Sequence, residues 1–187
     1  VLQLAAVLKR AGHEVQVFDQ TGVCEGKERP LTSDMIPEDV DIIGYSVLTP
    51  QFPLAAARMK NLRKFFPRAL HVVGGPHATC HPKSCLKAGF DAVFRYEGEV
   101  ALATLADSVS LSNDRGGDRQ QALGLYFDFN RDDAECPDRV MNGPIVWDLD
   151  SLPWPDRDAI NIGKYNYVRD GKLCGHVLAE SGNGAEH

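Results

Sequence analysis

Apolar positions change period several times along the chain. Leu4, Val7, Leu8 and Ala11 recur at helical spacing, and Gly12 can take the left-handed conformation that ends a helix. Val15 and Val17 then alternate, which predicts a strand over 13–18 with Asp19 at its carboxyl end. Residues 20–40, rich in turn formers and charge, read as a loop with at most a short helix. The nearly continuous apolar run 41–48 predicts a strand buried on both faces. Ala55, Met59, Leu62 and Phe66 share one helical face, and Pro67 ends that helix. Leu70 to Val73 form the next strand, Pro82 opens a short helix that Gly89 closes, and Asp91 to Phe94 form another strand. A helix then runs from Glu97-Gly98-Glu99 to about Val109. The order α-β-β-α-β-α-β-α predicts an α/β domain with a parallel sheet, because parallel neighbours need crossover connections.

Beyond Val109 the pattern changes. Leu111 is the one apolar side chain between 110 and 121, so this stretch reads as a flexible loop or linker. Leu123, Leu125, Phe127 and Phe129 alternate, and Val140 to Trp147 is a second extended stretch, so an antiparallel pair is expected. Leu149 to Pro155 holds two prolines and reads as an extended strap, with Trp147 and Trp154 as its packing anchors. The expected organisation is an α/β domain over 1–109, a linker over 110–121 and a β-rich, strap-containing extension over 122–187.

The 187 residues, 43% apolar, suffice for one domain and an appendage. With 26 acidic against 20 basic residues the formal charge is -6, which disfavours nucleic acid as a partner. Apolar runs are strand-sized, no secretory pattern is present, and the expected location is cytoplasmic, away from membranes. Cys24, Cys80, Cys85, Cys136 and Cys174 are an odd number without a CxxC pair, and are read as reduced thiols. Val1 already lies inside a helical pattern, so the chain reads as a fragment.

Two strands run into small-residue turns: one ends at Ser46-Val47-Leu48-Thr49, the other at Gly74-Gly75-Pro76-His77. In a parallel sheet both turns reach the carboxyl edge, where α/β folds hold ligands. Gly74-Gly75 alone fits a tight turn as well as a ligand contact, and the upstream Ser46-Val47-Leu48 favours the ligand. His77 and His81 sit just past that turn, where they could contact a cofactor tail or phosphate, although lone surface histidines are more often solvated than metal-ligating; His13 reads as a turn residue. Glu97 and Glu99 form a carboxylate pair read as non-catalytic: Glu99 at a helix start is explained by the helix dipole, and contact of the pair with a cofactor or with a part of the protein outside this chain stays open. Asp19 suits a ribose hydroxyl, yet no Gly-x-Gly-x-x-Gly accompanies it. No catalytic residue and no metal-ligand set is assigned.

The order Leu-Ala-Ala-Val-Leu-Lys-Arg-Ala-Gly-His-Glu-Val, Asp-Ile-Ile-Gly-Tyr-Ser, Val-Gly-Gly-Pro-His-Ala-Thr, Glu-Gly-Glu and Asp-Leu-Asp-Ser-Leu-Pro-Trp-Pro-Asp-Arg spans about residues 4–168. It resembles the amino-terminal, cobalamin-binding half of the cobalamin-dependent radical S-adenosylmethionine (radical SAM) enzymes. The resemblance implies a flavodoxin-like, Rossmann-like parallel sheet with helices on both faces, plus a small β-rich carboxyl-terminal extension. It also implies cobalamin held by Ser46, Val47, Leu48, Thr49, Gly74, Gly75, Pro76, His77, Glu97 and Gly98. Ser46 would hydrogen-bond the buried nucleotide tail, and the glycines would let backbone approach it.

Two family motifs are absent from the sequence. One is Asp-x-His-x-x-Gly, whose histidine binds cobalt from below and which follows a first strand that this chain lacks. The other is the Cys-x-x-x-Cys-x-x-Cys that holds a 4Fe-4S cluster. The implied role is therefore a cobalamin-binding module, with S-adenosylmethionine and the cluster in a radical SAM barrel downstream. Two other readings stay open. One is an α/β enzyme using a nucleotide diphosphate, such as a glycosyltransferase; the other is a ligand-free interaction domain of the same fold. Loss of a central first strand between 13–18 and 41–47 would leave unpaired backbone, so those strands are expected to pair directly, to borrow a strand from another copy, or to unfold.

Overall fold

The computed structural model describes residues 1–20, 31–114, 118–130, 139–160, 166–169 and 172–175. Strands β1 (Ile42–Ser46), β2 (Leu70–Gly74), β3 (Ala92–Tyr96) and β4 (Val140–Gly143) form one sheet in that order, with every neighbour parallel. The crossovers that parallel pairing demands are helical. Helix α1 (Leu2–Arg10) precedes the sheet, and α2 (Phe52–Phe65) joins β1 to β2. Helices α3 (Pro76–Cys80) and α4 (Pro82–Ala88) join β2 to β3, and α5 (Glu99–Asp114) and α6 (Arg119–Asn130) lie between β3 and β4. A separate antiparallel pair, β5 (Asn166–Arg169) and β6 (Lys172–Gly175), supplies the small β element near the carboxyl end.

Strand alternation divides the core between the two faces of the sheet. Leu70, Val72, Ala92, Phe94 and Met141 pack with Ala101, Leu105 and Val109 of α5 and Leu123 of α6. Val73, Val93 and Val140 face the other way, onto Met59 of α2, Ala78 of α3 and Cys85 of α4. This is the expected α/β sheet with helices on both faces. Gly12 and Gly89 adopt φ of +95° and +107° at the ends of α1 and α4, as helix stops of this kind require.

Five expected elements differ. Residues 13–18 carry no ladder, since no strand pairs with them; Phe18 instead packs beside Ile36, Leu62 and Phe66. They do not pair with β1, which is the edge of the sheet, and the run expected to be buried on both faces leaves Gly44 and Ser46 exposed. The alternating stretch 123–129 is helical, because Leu123, Tyr126 and Phe127 also satisfy helical spacing and Tyr126 donates to the Ala101 carbonyl at 2.9 Å. Val140 onward is a strand only to Gly143 and pairs parallel with β3 rather than antiparallel with 123–129. Finally, α5 passes the expected stop at Val109 and continues to Asp114, with Leu105 and Val109 extending its buried stripe from Ala101.

The proline-containing strap is fastened to α1. Gln3 donates to the Pro153 carbonyl at 2.8 Å, Arg10 to the Ser151 carbonyl at 2.6 Å, and Lys9 pairs with Asp156 at 2.6 Å. Trp147 and Trp154 are each 88% exposed, so they do not anchor the strap by packing; these bonds do. No helix among the described residues is long and apolar enough to cross a membrane.

Candidate functional site

All four strands end on one edge, and the site is built there from the β1 and β2 ends. Ser46 stands in register with Gly74, and the ladder runs one bond further, from Val47 N–H to the Gly74 carbonyl at 3.1 Å. The Val47 carbonyl in turn accepts the His77 N–H at 3.0 Å, tying the start of α3 to the end of β1. Gly75, between them, has φ +91° and ψ -176°, a conformation open to glycine. A Cβ there would lie 2.9 Å from Val47 N, 3.2 Å from Val47 O and 3.3 Å from Ser46 Oγ. The missing side chain thus makes room for the neighbouring strand end. A Cβ on Gly74 would meet only ordinary contacts, the nearest at 3.6 Å from the Phe94 carbonyl.

His77 is the locking side chain of this turn. It is 6% exposed, stacks on Phe52 with ring centroids 4.0 Å apart, and lies between Thr49 Oγ1 at 3.3 Å and Ser84 Oγ at 3.0 Å. Ser84 spends its proton on the His81 carbonyl at 2.7 Å, so it accepts from His77 Nε2–H, and Thr49 donates to Nδ1. Desolvation, then the nearby His81, holds the His77 pKa below its ordinary value and favours this neutral form. Against expectation, the His77 side chain is buried rather than solvated. His81 is exposed.

Ser46, Val47, Leu48, Thr49, Gly74, Gly75, Pro76 and His77 therefore come together. Val47 is buried, whereas Leu48 is 50% exposed and Ser46 and Thr49 are exposed on the crevice rim. Glu97 and Gly98 lie apart, past the end of β3. Glu97 accepts the Val146 N–H at 2.6 Å, and a Cβ on Gly98 would touch Leu4. Gly143, at the end of β4, abuts the Glu97 carbonyl so closely that no Cβ fits. Arg95, Thr79 and Ser84 carry the polar framework between these strand ends and were not readable as site residues. The only signal was a charge, Arg95, directly after an apolar strand.

The family model of the B12 binding domain matches residues 1–106. The chain belongs to the B12-binding domain family. An uncharacterized methyltransferase of Pyrococcus horikoshii is 28% identical over 184 residues, 97% of this chain and 38% of that protein. The anaerobic magnesium-protoporphyrin IX monomethyl ester cyclase of Cereibacter sphaeroides is 29% identical over 169 residues, 89% of this chain and 27% of that protein. The cytidylyl-2-hydroxyethylphosphonate methyltransferase of Streptomyces wedmorensis is 25% identical over 203 aligned positions, 89% of this chain and 37% of that protein. The chain thus spans between about a quarter and two-fifths of these relatives.

The crevice of this B12-binding domain fits such a ligand on two observations. The Ser46 hydroxyl is exposed and makes no hydrogen bond within the described residues. Gly75, without a side chain, packs directly against the β1 end, which brings the glycine turn beside Ser46 Oγ at the sheet edge. Among the described residues no cluster of three or more His, Cys, Asp or Glu side chains forms a metal site.

Proposed function

We propose that this B12-binding domain holds cobalamin across the carboxyl ends of β1 and β2, as the cofactor-presenting module of a radical SAM enzyme. The observation that carries the reading is the exposed, unpartnered Ser46 hydroxyl beside the glycine-built turn at Gly74-Gly75. Ser46, Thr49 and the main chain at 47–48 and 74–77 would contact the ligand, while Glu97 and Gly98 bound the crevice from the β3 side. His77 fixes the turn through Thr49 and Ser84, so its ring would position the binding loop and would not be free to ligate cobalt.

Bound cobalamin supplies methyl transfer or assistance to ring formation, the classes named for the methyltransferase and cyclase relatives. These residues bind and orient; S-adenosylmethionine and a 4Fe-4S cluster belong to a barrel partner, for which this sequence holds no Cys-x-x-x-Cys-x-x-Cys motif. Titration of the purified chain with hydroxocobalamin, followed by visible absorption, tests the reading. Saturable one-to-one binding is expected, weakened about ten-fold in Ser46→Val by loss of one hydrogen bond. Absence of saturable binding would overturn it.

A further inference from the structure

A second polar group stands at the same edge, one strand from Gly74. Arg95 projects from the end of β3 beneath α3, and its guanidinium is fixed on three sides. Nε donates to the Thr79 carbonyl at 3.2 Å, Nη1 to Asn142 Oδ1 at 3.1 Å and Nη2 to the Tyr96 hydroxyl at 2.8 Å. Its Cζ lies 4.8 Å from the centre of the Tyr96 ring. Tyr96 adopts φ +61°, uncommon for a non-glycine residue, and is held there by donating its N–H to Thr79 Oγ1 at 3.0 Å. A strained residue at a strand end, kept by its neighbours, is a feature of ligand sites.

Charge makes this group unusual. All three hydrogen-bond partners of Arg95 are neutral, and among the described residues no carboxylate pairs with it, although its side chain is half-buried. A guanidinium carries five N–H donors, so one on each terminal nitrogen remains. Partly desolvated positive charge without a counter-charge is costly, and a pre-oriented guanidinium is the side chain best suited to an oxyanion. Helix α3 connects the two halves of the edge, since it begins at the Gly75 turn and carries Thr79 at its other end. Neighbouring strands are about 5 Å apart, so one extended ligand reaches both.

We propose that Arg95 is the anion-binding group of this crevice and takes a phosphodiester. The proposal rests on the cobalamin reading above, where the phosphodiester is that of the cofactor's nucleotide tail. It is tested by measuring affinity for cobalamin and for cobinamide, which keeps the corrin but lacks the phosphodiester and nucleotide. The proteins compared are the wild type, Arg95→Gln and Arg95→Lys, with thermal melting as the folding control. Arg95→Gln is expected to bind cobalamin about ten- to a hundred-fold more weakly, with cobinamide affinity unchanged. Arg95→Lys, which keeps the charge and loses the fork, falls between. If Arg95→Gln does not fold, the Lys variant carries the test through the same cobalamin-selective loss.

Equal losses for both ligands, or no loss for cobalamin, would overturn the role of Arg95. Wild-type protein that binds the two ligands equally would also overturn it while leaving the cobalamin reading intact. Wild-type protein that binds neither would remove that reading and this proposal together.

Discussion

Gly75 and Val47 are packed so tightly that a Cβ on the glycine would stand 2.9 Å from the Val47 nitrogen. With φ at +91° and ψ at -176°, any L-residue there also carries backbone strain of about 1–3 kcal/mol. Gly75→Ala is therefore expected to lower the melting temperature, and Gly75→Val to abolish cobalamin binding by displacing the β1 end rather than by filling the crevice. Gly74→Ala, which meets nothing closer than 3.6 Å, should cost under about 1 kcal/mol. Equal melting temperatures for Gly75→Ala and Gly74→Ala would contradict this distinction.

Acid sensitivity should follow from His71. It is fully buried on β2, with Nδ1 3.0 Å from the Tyr45 hydroxyl. Desolvation, reinforced by the Arg63 guanidinium and opposed by Asp91 and a hydrogen bond with the Phe66 backbone, lowers its pKa from 6.5 to about 4. The unfolded chain takes up this proton below pH 6.5 and the native chain does not until about 4. Stability is thus complete above 6.5 and lost as pH falls through that window, by about 3 kcal/mol in all. Urea unfolding at a series of pH values checks this, and His71→Phe should flatten the profile. A variant with the wild-type slope would assign the acid loss to other groups.

His77 should not ligate cobalt. Both ring nitrogens are already engaged, with Thr49 and Ser84, and protonation is disfavoured by burial. The cobalt(II) spectrum of the bound protein is expected to lack hyperfine splitting from a His77 nitrogen. Splitting that disappears in His77→Gln would show that the turn opens on binding and that the bonds seen here are exchanged for the metal.

At the other end of the edge, Gly143 abuts the Glu97 carbonyl without space for a Cβ. Gly143→Ala must separate the β4 end from the β3 turn, where Glu97 also holds the Val146 N–H. A destabilisation of about 3 kcal/mol or more is expected, read by urea unfolding. A near-neutral variant would mean that the two strand ends are free to part.

Much of this architecture was legible because burial and period agree. Leu70 to Val73 is apolar at every position but one and is buried throughout, while Met59, Leu62 and Phe66 keep one face of α2 and its exit inside the core. Elements failed where two periods coincide or where the partner is remote in sequence. Leu123 and Phe127 are compatible with both alternation and a helix, and tertiary packing on Ala101 and Leu105 decides for the helix. Val140 to Gly143 pairs with β3, a contact that local pattern does not encode, and residues 13–18 look like a strand but pair with none among the described residues. The meeting of Ser46 with Gly74 follows from parallel topology and was readable. The Ser84 bond to His77 and the Arg95 framework depend on side-chain geometry across separate elements, so no sequence spacing announces them.

The central claim, that cobalamin lies across the β1 and β2 ends, is tested most directly by amide hydrogen exchange with and without hydroxocobalamin. Slowed exchange over 46–49 and 74–79, with α1 and the strap at 149–156 unchanged, is the predicted result. Saturable binding that leaves both turns unprotected and slows exchange elsewhere would contradict the claim.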